Sequence, residues 1–502
     1  MRALSRVARA TVIGALTLVV AMIGLPFGTA GAVTTPVITD VYGAVHPGFG
    51  GQVIINGTNF EPTAAVTFSG GITGSIVGTP TATQIRVNVT VPANVAPAYY
   101  DTTVNNGGGF TATKATSLYV RGVGGQYHPL TPSRILDTRP NNSLAANATR
   151  QVAVLGVGGV PTSGVSSVVL NVTAVSAQPA DGGADGYLTV YPTGGTQPTT
   201  STVNFLAGQI VANAAISAVG TGGQLSLYNF AGKTDVIFDI VGYYSSDTGT
   251  PGSVFVSRNN DDRPPYRIMD TRSGQGVAKG AIKANSQASL LIADPQFKVT
   301  GAALNVTAIN STDAGYLTVS PSGENRPEAS SVNFTANTVV PNHVIAKTGT
   351  DGKINIYNYT GTTDAAVDLF GWFFDASVPW DGGQFTGMAP RRVLDTRSGQ
   401  GGVTTLGAGQ EVTLLVNGTN GIPADAVTVV FNVTVVNPSE GGFLTVWQSS
   451  LTPRPNTSNV NFVANQTVAN LSTIRIGAGG TIKLYNSAGN SDVLLDVVGY
   501  YR

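Results

Sequence analysis

The chain has 502 residues, 42% of them hydrophobic and only 11% charged, a balance that excludes global disorder and suits several folded domains rich in strands and turns. Its 27 basic and 27 acidic residues cancel, so no electrostatic footprint exists for nucleic acid or for an anionic membrane surface. The absence of cysteine excludes disulfides, thiol nucleophiles and cysteine-ligated metals.

At the N-terminus Arg2, Arg6 and Arg9 precede an apolar run over 10–25, and Ala30-Gly31-Ala32 is a small-residue cleavage site. The pattern predicts a signal peptide over 1–32, removed after Ala32. The apolar run is short for a membrane span and is followed by Pro26. The expected product is secreted, extracellular or cell-surface associated, with no integral membrane anchor in the mature form. No apolar tail or sorting signal follows Arg502, so release or non-covalent retention is expected.

Over 33–121 short alternating strands are punctuated by turns, as in Gln52-Val-Ile-Ile-Asn-Gly-Thr-Asn-Phe60 and Ile85-Arg-Val-Asn-Val-Thr-Val-Pro92. Gly51, Val53, Ile55, Gly57, Phe60 and Val89 to Pro92 carry a G-x-x-V-x-I-x-G-x-x-F pattern followed by V-x-V-P. This stretch resembles the IPT/TIG family of immunoglobulin-like domains. The resemblance implies a sandwich that acts as a surface spacer or interaction module.

Polar, Gly/Pro-containing joints at 121–126, 245–253 and 375–384 separate three homologous units over 127–245, 254–375 and 384–502. Each opens with Arg-x-x-Asp-Thr-Arg, at 134–139, 267–272 and 392–397, and closes on Gly-aromatic, at Gly242-Tyr243, Gly371-Trp372 and Gly499-Tyr500. Between these lie an Asn-Val-Thr strand (Asn171, Asn305, Asn432), a Gly-aromatic-Leu-Thr-Val strand (Gly186, Gly315, Gly442) and a Ser-x-Val-Asn-Phe strand ending at Phe205, Phe334 and Phe462. A Tyr-Asn pair follows at Tyr228, Tyr357 and Tyr485. Side chains alternate with a period of two: Leu170, Val172 and Ala174 share one face while Asn171 and Thr173 share the other, which reads as half-buried strands. No window after the leader has helical period. The fold class is therefore all-β, an N-terminal immunoglobulin-like sandwich followed by three β-sandwich or barrel repeats. The units resemble the "LDTR" repeats of secreted actinobacterial proteins, a likeness that confers no activity.

Five charges recur in every unit: the two Arg and the Asp of the opening motif, and two Asp on the closing strand (Asp235 and Asp239, Asp364 and Asp368, Asp492 and Asp496). The second closing Asp lies between apolar neighbours on its own face, where an unpaired carboxylate costs several kcal/mol. The expected partners are the last Arg of each motif, pairing Arg139 with Asp239, Arg272 with Asp368 and Arg397 with Asp496. The same carboxylates could suit Ca²⁺, but a neighbouring guanidinium repels a cation, and the acidic run 181–185 reads as a turn. A glycosidase needs two carboxylates across a cleft, and triplicated active sites are uncommon. His46, His128 and His343 occupy non-equivalent places without evident partners. No catalytic residue, metal or cofactor is expected.

Aromatic residues supply the remaining signal. Tyr187, Thr189 and Tyr191 share a face, matched by Tyr316, Thr318 and Ser320 and by Phe443, Thr445 and Trp447. Two readings stay open: these rings pack beneath a loop or second sheet, or Tyr187, Tyr191, Tyr316, Phe443 and Trp447 form platforms for sugar rings. The Asn-x-Thr sequons at Asn171, Asn305 and Asn432 read as strand positions. The leading functional expectation is a non-enzymatic surface or matrix protein that binds extracellular polysaccharide or a cell-envelope polymer, with avidity from repetition. The alternatives are a spacer or subunit that associates with itself in an extracellular layer or appendage, and, more remotely, a polysaccharide hydrolase.

Overall fold

The computed structural model describes residues 33–502 apart from 44, 49, 97, 121–123, 247–250, 258–264 and 378–381. The expected signal peptide and parts of all three joints lie outside the described residues. The chain is all-β: among the described residues the only helical turns are short 3-10 segments such as Pro179–Asp181 and Pro295–Phe297.

The N-terminal domain is a two-sheet sandwich. Val37–Tyr42, Gly50–Thr58, Gln84–Thr90 and Thr73–Ile76 form one antiparallel sheet, and Ala65–Phe68, Ala98–Asn105 and Thr111–Val120 form the other. Val53, Ile55, Ile85, Val87, Val104 and Leu118 fill the space between them. A Cβ on Gly57 would fall on the Phe60 ring and the Val37 carbonyl, so the ring of Phe60 requires glycine at 57.

Each repeat unit is also a sandwich. In the first, an inner sheet runs in the order Ile210–Ala218, Val165–Ser176, Thr234–Ser245, Tyr127–Asp137. The outer sheet runs Val203–Phe205, Gly186–Pro192, Gln224–Asn229, Thr149–Ala153. The other units repeat this order, with central strands Val299–Ile309 and Thr428–Val436, axial edge strands Val339–Lys347 and Val468–Arg475, and closing strands Thr362–Asp375 and Asp492–Tyr501. Leu170, Val172, Leu188, Leu225 and Phe238 exemplify the core between the two sheets of the first unit.

The central strands are buried on both faces, contrary to the half-buried reading. Asn171 and Thr173 are as inaccessible as their apolar neighbours, because the three units close into a ring and each covers its neighbour's polar face. The edge strands 210–218, 339–347 and 468–475 meet on a pseudo-threefold axis. There three asparagines satisfy one another's sheets. Asn342 Oδ1 accepts from Ala214 N at 3.1 Å, Asn470 Oδ1 from His343 N at 2.8 Å, and Asn213 Oδ1 from Leu471 N at 3.0 Å. Their Nδ2 groups donate to Asn171 Oδ1, Asn305 Oδ1 and Asn432 Oδ1 at 3.0, 3.0 and 2.8 Å. Exposed strand edges invite uncontrolled pairing. Here one N–H of each edge strand is capped by the next unit's carboxamide.

The sequon asparagines complete the contact. Asn171 Nδ2 donates to Ser330 O at 2.6 Å, Asn305 to Ser458 O at 2.8 Å and Asn432 to Ser201 O at 2.6 Å. The recurrent Ser-x-Val-Asn-Phe segment is thus the docking edge for the neighbouring unit. Buried and fully engaged, these asparagines are unavailable as glycan acceptors.

At one end of the axis six rings close the core. Tyr127, Phe255 and Phe385 from the opening segments interleave with Tyr244, Phe373 and Tyr501 from the closing strands, with neighbouring centroids between 4.3 and 6.2 Å. Tyr244 and Tyr501 hydroxyls bond at 2.6 Å. A Cβ on Gly242, Gly371 or Gly499 would strike the ring of Tyr127, Phe255 or Phe385, so the closing glycine is the floor on which that ring sits. Short backbone bridges tie the same end shut, Gly125 with Phe385 and Phe255 with Gly383. The N-terminal domain joins at this end, and Tyr119 Oη donates to Asp425 Oδ2 at 2.9 Å.

A fragment spanning only 384–502 would expose Phe385, Tyr501, Asn432, Asn470 and the edge 468–475. It is expected to lose cooperative melting or to assemble as a trimer on analytical ultracentrifugation; a stable folded monomer would contradict the ring account. In the full chain, Asn470→Ala strips the partner from His343 N and from Asn305. At about 1 to 3 kcal/mol per orphaned buried group, a clear fall in Tm is expected by calorimetry.

Candidate functional site

The opening motif forms a strand lock, and the partner differs from expectation. Asp239, Asp368 and Asp496 pair with the first arginine of the motif and not with Arg139, Arg272 and Arg397. Arg134 Nε and Nη2 donate to the two oxygens of Asp239 at 2.9 and 3.2 Å. Arg267 grips Asp368 at 3.0 and 3.3 Å, and Arg392 grips Asp496 at 2.8 and 3.0 Å. The reason is register: Asp239, Asp368 and Asp496 sit directly across from Arg134, Arg267 and Arg392 on paired strands. The last arginine lies beyond the strand end and folds back. Arg139, Arg272 and Arg397 Nη2 reach Asp137, Asp270 and Asp395 at 2.6, 2.7 and 2.7 Å.

The other motif positions are accounted for as well. Arg134, Arg267 and Arg392 also touch Asp137, Asp270 and Asp395 through Nη1 at 3.5, 3.2 and 3.2 Å. Thr138, Thr271 and Thr396 hydroxyls donate to Asp235, Asp364 and Asp492 at 2.8, 2.6 and 2.8 Å. Each also accepts a backbone N–H from the next closing-strand residue, Val236, Ala365 or Val493. The first Arg and the Thr of the motif therefore join the first strand to the last, while its Asp and last Arg pair within the motif and brace the first Arg.

The two carboxylate classes titrate in opposite directions. Burial under the neighbouring unit raises Asp239, Asp368 and Asp496 despite the paired guanidinium. Hydrogen bonds from the adjacent arginine lower Asp137, and take Asp270 and Asp395 down to about 2. Asp239, Asp368 and Asp496 have side chains only 1% exposed, and the spaces beside Asp239 and Asp496, about 20 Å³ each, are too small for a substrate. His343 is equally enclosed; burial pushes it down to about 3, its Nε2 lies 3.2 Å from Thr473 Oγ1, and its ring packs edge-on against Phe370.

The aromatic strand divides between the two readings. Tyr191 is 7% exposed and Trp447 1%, so neither can offer a platform. They lie beneath the connection to the next strand: Thr189 Oγ1 donates to Thr200 O at 2.7 Å, and Trp447 Nε1 to Leu451 O at 3.4 Å. Tyr187, Tyr316 and Phe443 are half-buried. Tyr187 stacks on Phe230 with centroids 4.6 Å apart and planes at 12°, and Tyr316 stacks on Tyr359 at 4.6 Å and 11°. Phe443 lies 6.2 Å from Tyr485. The outer rings of the two stacks are open, Phe230 at 45% and Tyr359 at 50%. They follow the Tyr-Asn landmark by one residue, a position whose third equivalent is Ser487. That break in the pattern hid them from a reading built on shared landmarks.

The stacks belong to the end of the ring opposite the six-ring cluster and the N-terminal domain. Leu206, Ile210, Val339 and Val463 are exposed at the same end. Each stack also faces a seam between units: the Tyr187 hydroxyl feels the charge of Arg392, and that of Tyr316 the charge of Arg134. Among the described residues no group of three or more His, Cys, Asp or Glu side chains is arranged to hold a metal ion. No described helix is long and apolar enough to cross a membrane.

No family model matches the chain, and no curated protein matches it. Among solved structures it is similar to the Bacteroides ovatus mixed-linkage glucan utilization locus protein SGBP-B in complex with mixed-linkage heptasaccharide, at 14% identity and a TM-score of 0.15 over 41% of this chain and 54% of that one. The chain thus spans about half the length of that protein. Similarity extends to the tandem CBM22-1-CBM22-2 domain of Paenibacillus barcinonensis Xyn10C, at 11% identity and a TM-score of 0.14 over 68% and 99% of the two chains. A protein of Sulfolobus Turreted Icosahedral Virus overlaps at 9% identity and a TM-score of 0.16 over 75% and 90%. Likenesses of this size carry no inference about ligand or activity.

The two arginines of one motif should respond differently to removal. Arg392→Ala strands a buried carboxylate and is expected to cost about 3 to 5 kcal/mol, whereas Arg397→Ala removes a guanidinium that is 45% exposed and leaves Asp395 still bonded to Arg392, a loss of about 1 kcal/mol; chemical denaturation reads both. A folded-state value near 2 for Asp270 means that its stabilisation is complete above the ordinary carboxylate value of 3.8 and is lost as pH falls towards about 2. Asp368 has the opposite sign, since its raised value favours the folded state as protons bind. Asp270→Asn should therefore flatten the fall of Tm between about pH 4 and pH 2 relative to the parent protein.

Proposed function

We propose that this is a non-enzymatic extracellular binding protein whose three-unit head engages a polysaccharide or another cell-envelope polymer. The reading rests on the stacked pairs Tyr187–Phe230 and Tyr316–Tyr359, whose outer rings are open on the end of the head opposite the N-terminal domain. A flat exposed ring buttressed by a second ring offers the apolar face of a sugar a rigid surface at low entropic cost. Closure of the units fixes the stacks in one body, so a long polymer could meet more than one of them and gain avidity without a linker penalty.

Catalysis is disfavoured by the same geometry, because the repeated carboxylates are spent in the strand lock. Self-association is the competing reading, favoured by Leu206, Ile210, Val339 and Val463 standing exposed at one end.

Co-sedimentation of the mature protein with purified cell wall and insoluble polysaccharides tests the proposal. Retention is expected, with Phe230→Ala and Tyr359→Ala together reducing it about tenfold or more while Tm is unchanged. Absence of retention on every polymer at low salt, together with higher oligomers in light scattering, would favour self-assembly instead.

A further inference from the structure

Where the three edge strands run out, at the end away from the N-terminal domain, the pseudo-threefold axis opens into a cavity of about 420 Å³ lined by all three units. That lies within the range of about 300 to 1,000 Å³ occupied by small-molecule sites. Its walls include Ile210, Val339, Val463 and Val468, and its polar groups include Gln209, Asn333, Asn461 and Gln466. No acidic, basic or imidazole side chain lines it among the described residues.

The four carboxamides are committed on one side only. Asn333 Oδ1 accepts from Ser330 Oγ at 2.9 Å and Asn461 Oδ1 from Ser458 Oγ at 2.8 Å. Gln209 Oε1 accepts from Leu206 N at 2.9 Å and Gln466 Oε1 from Val463 N at 3.1 Å. Their oxygens are held, their NH₂ groups donate to no protein group among the described residues, and all four side chains line an apolar-walled, uncharged space. Such a site suits an uncharged ligand rich in oxygen acceptors and carrying apolar C–H faces. It does not suit a carboxylate or ammonium, which would lose hydration without meeting a counter-charge.

We propose that this axial cavity binds a neutral saccharide, a segment or terminus of an uncharged glycan, with the amide NH₂ groups donating to hydroxyl or ring oxygens and Ile210, Val339 and Val463 packing against the ring faces. The proposal rests on the polymer-binding reading and adds to it a charge class and a second site distinct from the stacked tyrosines. Because the cavity takes side chains from three units, it exists only in the closed head.

The test uses the whole mature protein on an array of neutral, uronic-acid and amino-sugar glycans, followed by calorimetric titration of the strongest neutral binder. Neutral glycans are expected to bind. Val463→Arg at the exposed rim, and the double variant Asn333→Asp with Asn461→Asp, which keeps the acceptors for Ser330 and Ser458 but removes the donors, should each weaken that binding about tenfold or more. Leu291→Arg and Leu415→Arg, exposed positions at the other end of the ring, should leave it unchanged, and thermal melts report whether each variant folds. Binding confined to charged glycans, or neutral binding that survives both axial changes in folded protein, overturns the axial site while leaving the polymer-binding head in place. Absence of binding to any glycan overturns the axial site and the polysaccharide form of the polymer-binding reading together.

Discussion

A β-sheet that ends in solvent leaves a row of unpaired N–H and C=O groups, and in this protein three such edges face one another on the pseudo-threefold axis. Its solution is reciprocal: each edge strand near the axis donates a backbone N–H to an asparagine of the next unit, and that asparagine donates in turn to the central strand of the unit it caps. The arrangement works only when closed. With two units, one edge and one polar strand face would remain open, at a cost comparable to the net stability of a small domain. Closure also explains why a carboxylate can sit in the middle of each closing strand, since the neighbour's Ser-x-Val-Asn-Phe segment covers Asp239, Asp368 or Asp496 while an arginine returns its charge.

The strand lock follows from that burial. A carboxylate so deeply placed is raised by desolvation even with a bidentate guanidinium, so the pair specifies register more than it adds stability. The motif's own carboxylate sits nearer solvent and is lowered by its arginine, so acid acts on the two classes in opposite senses. The repeated charges are held in this framework, while the axial cavity is lined by aliphatic and aromatic side chains, hydroxyls and carboxamides, with no charged side chain among the described residues. A surface of that kind selects ligands by shape and hydrogen bonding and not by charge.

How much of this was legible in the sequence can be judged residue by residue. The apolar flanks of Asp239, Asp368 and Asp496 correctly required a buried, paired carboxylate, but the partner depended on a register that the repeat does not display. Strand pairing sets Arg134 opposite Asp239 and carries Arg139 past the strand end, and only three-dimensional pairing distinguishes them. Tyr187, Tyr316 and Phe443 were found on the strand where the pattern placed them. Tyr191 and Trp447 were lost to a covering loop, and Phe230 and Tyr359 escaped notice because the third unit has serine in their place.

By itself the sequence determined the all-β class and the three homologous units, because period-two alternation and repeated landmarks are local properties of a chain. It also singled out Asn171, Asn305 and Asn432 as strand residues without revealing what they face. Whether the units were separate or closed, which arginine met which carboxylate, and which rings stayed open were decided by tertiary structure. The first two depend on contacts between residues more than a hundred positions apart, such as Asn342 with Asn171, separated by 171 residues. Such contacts are set by how three polar faces satisfy one another, and no single strand's pattern contains that information.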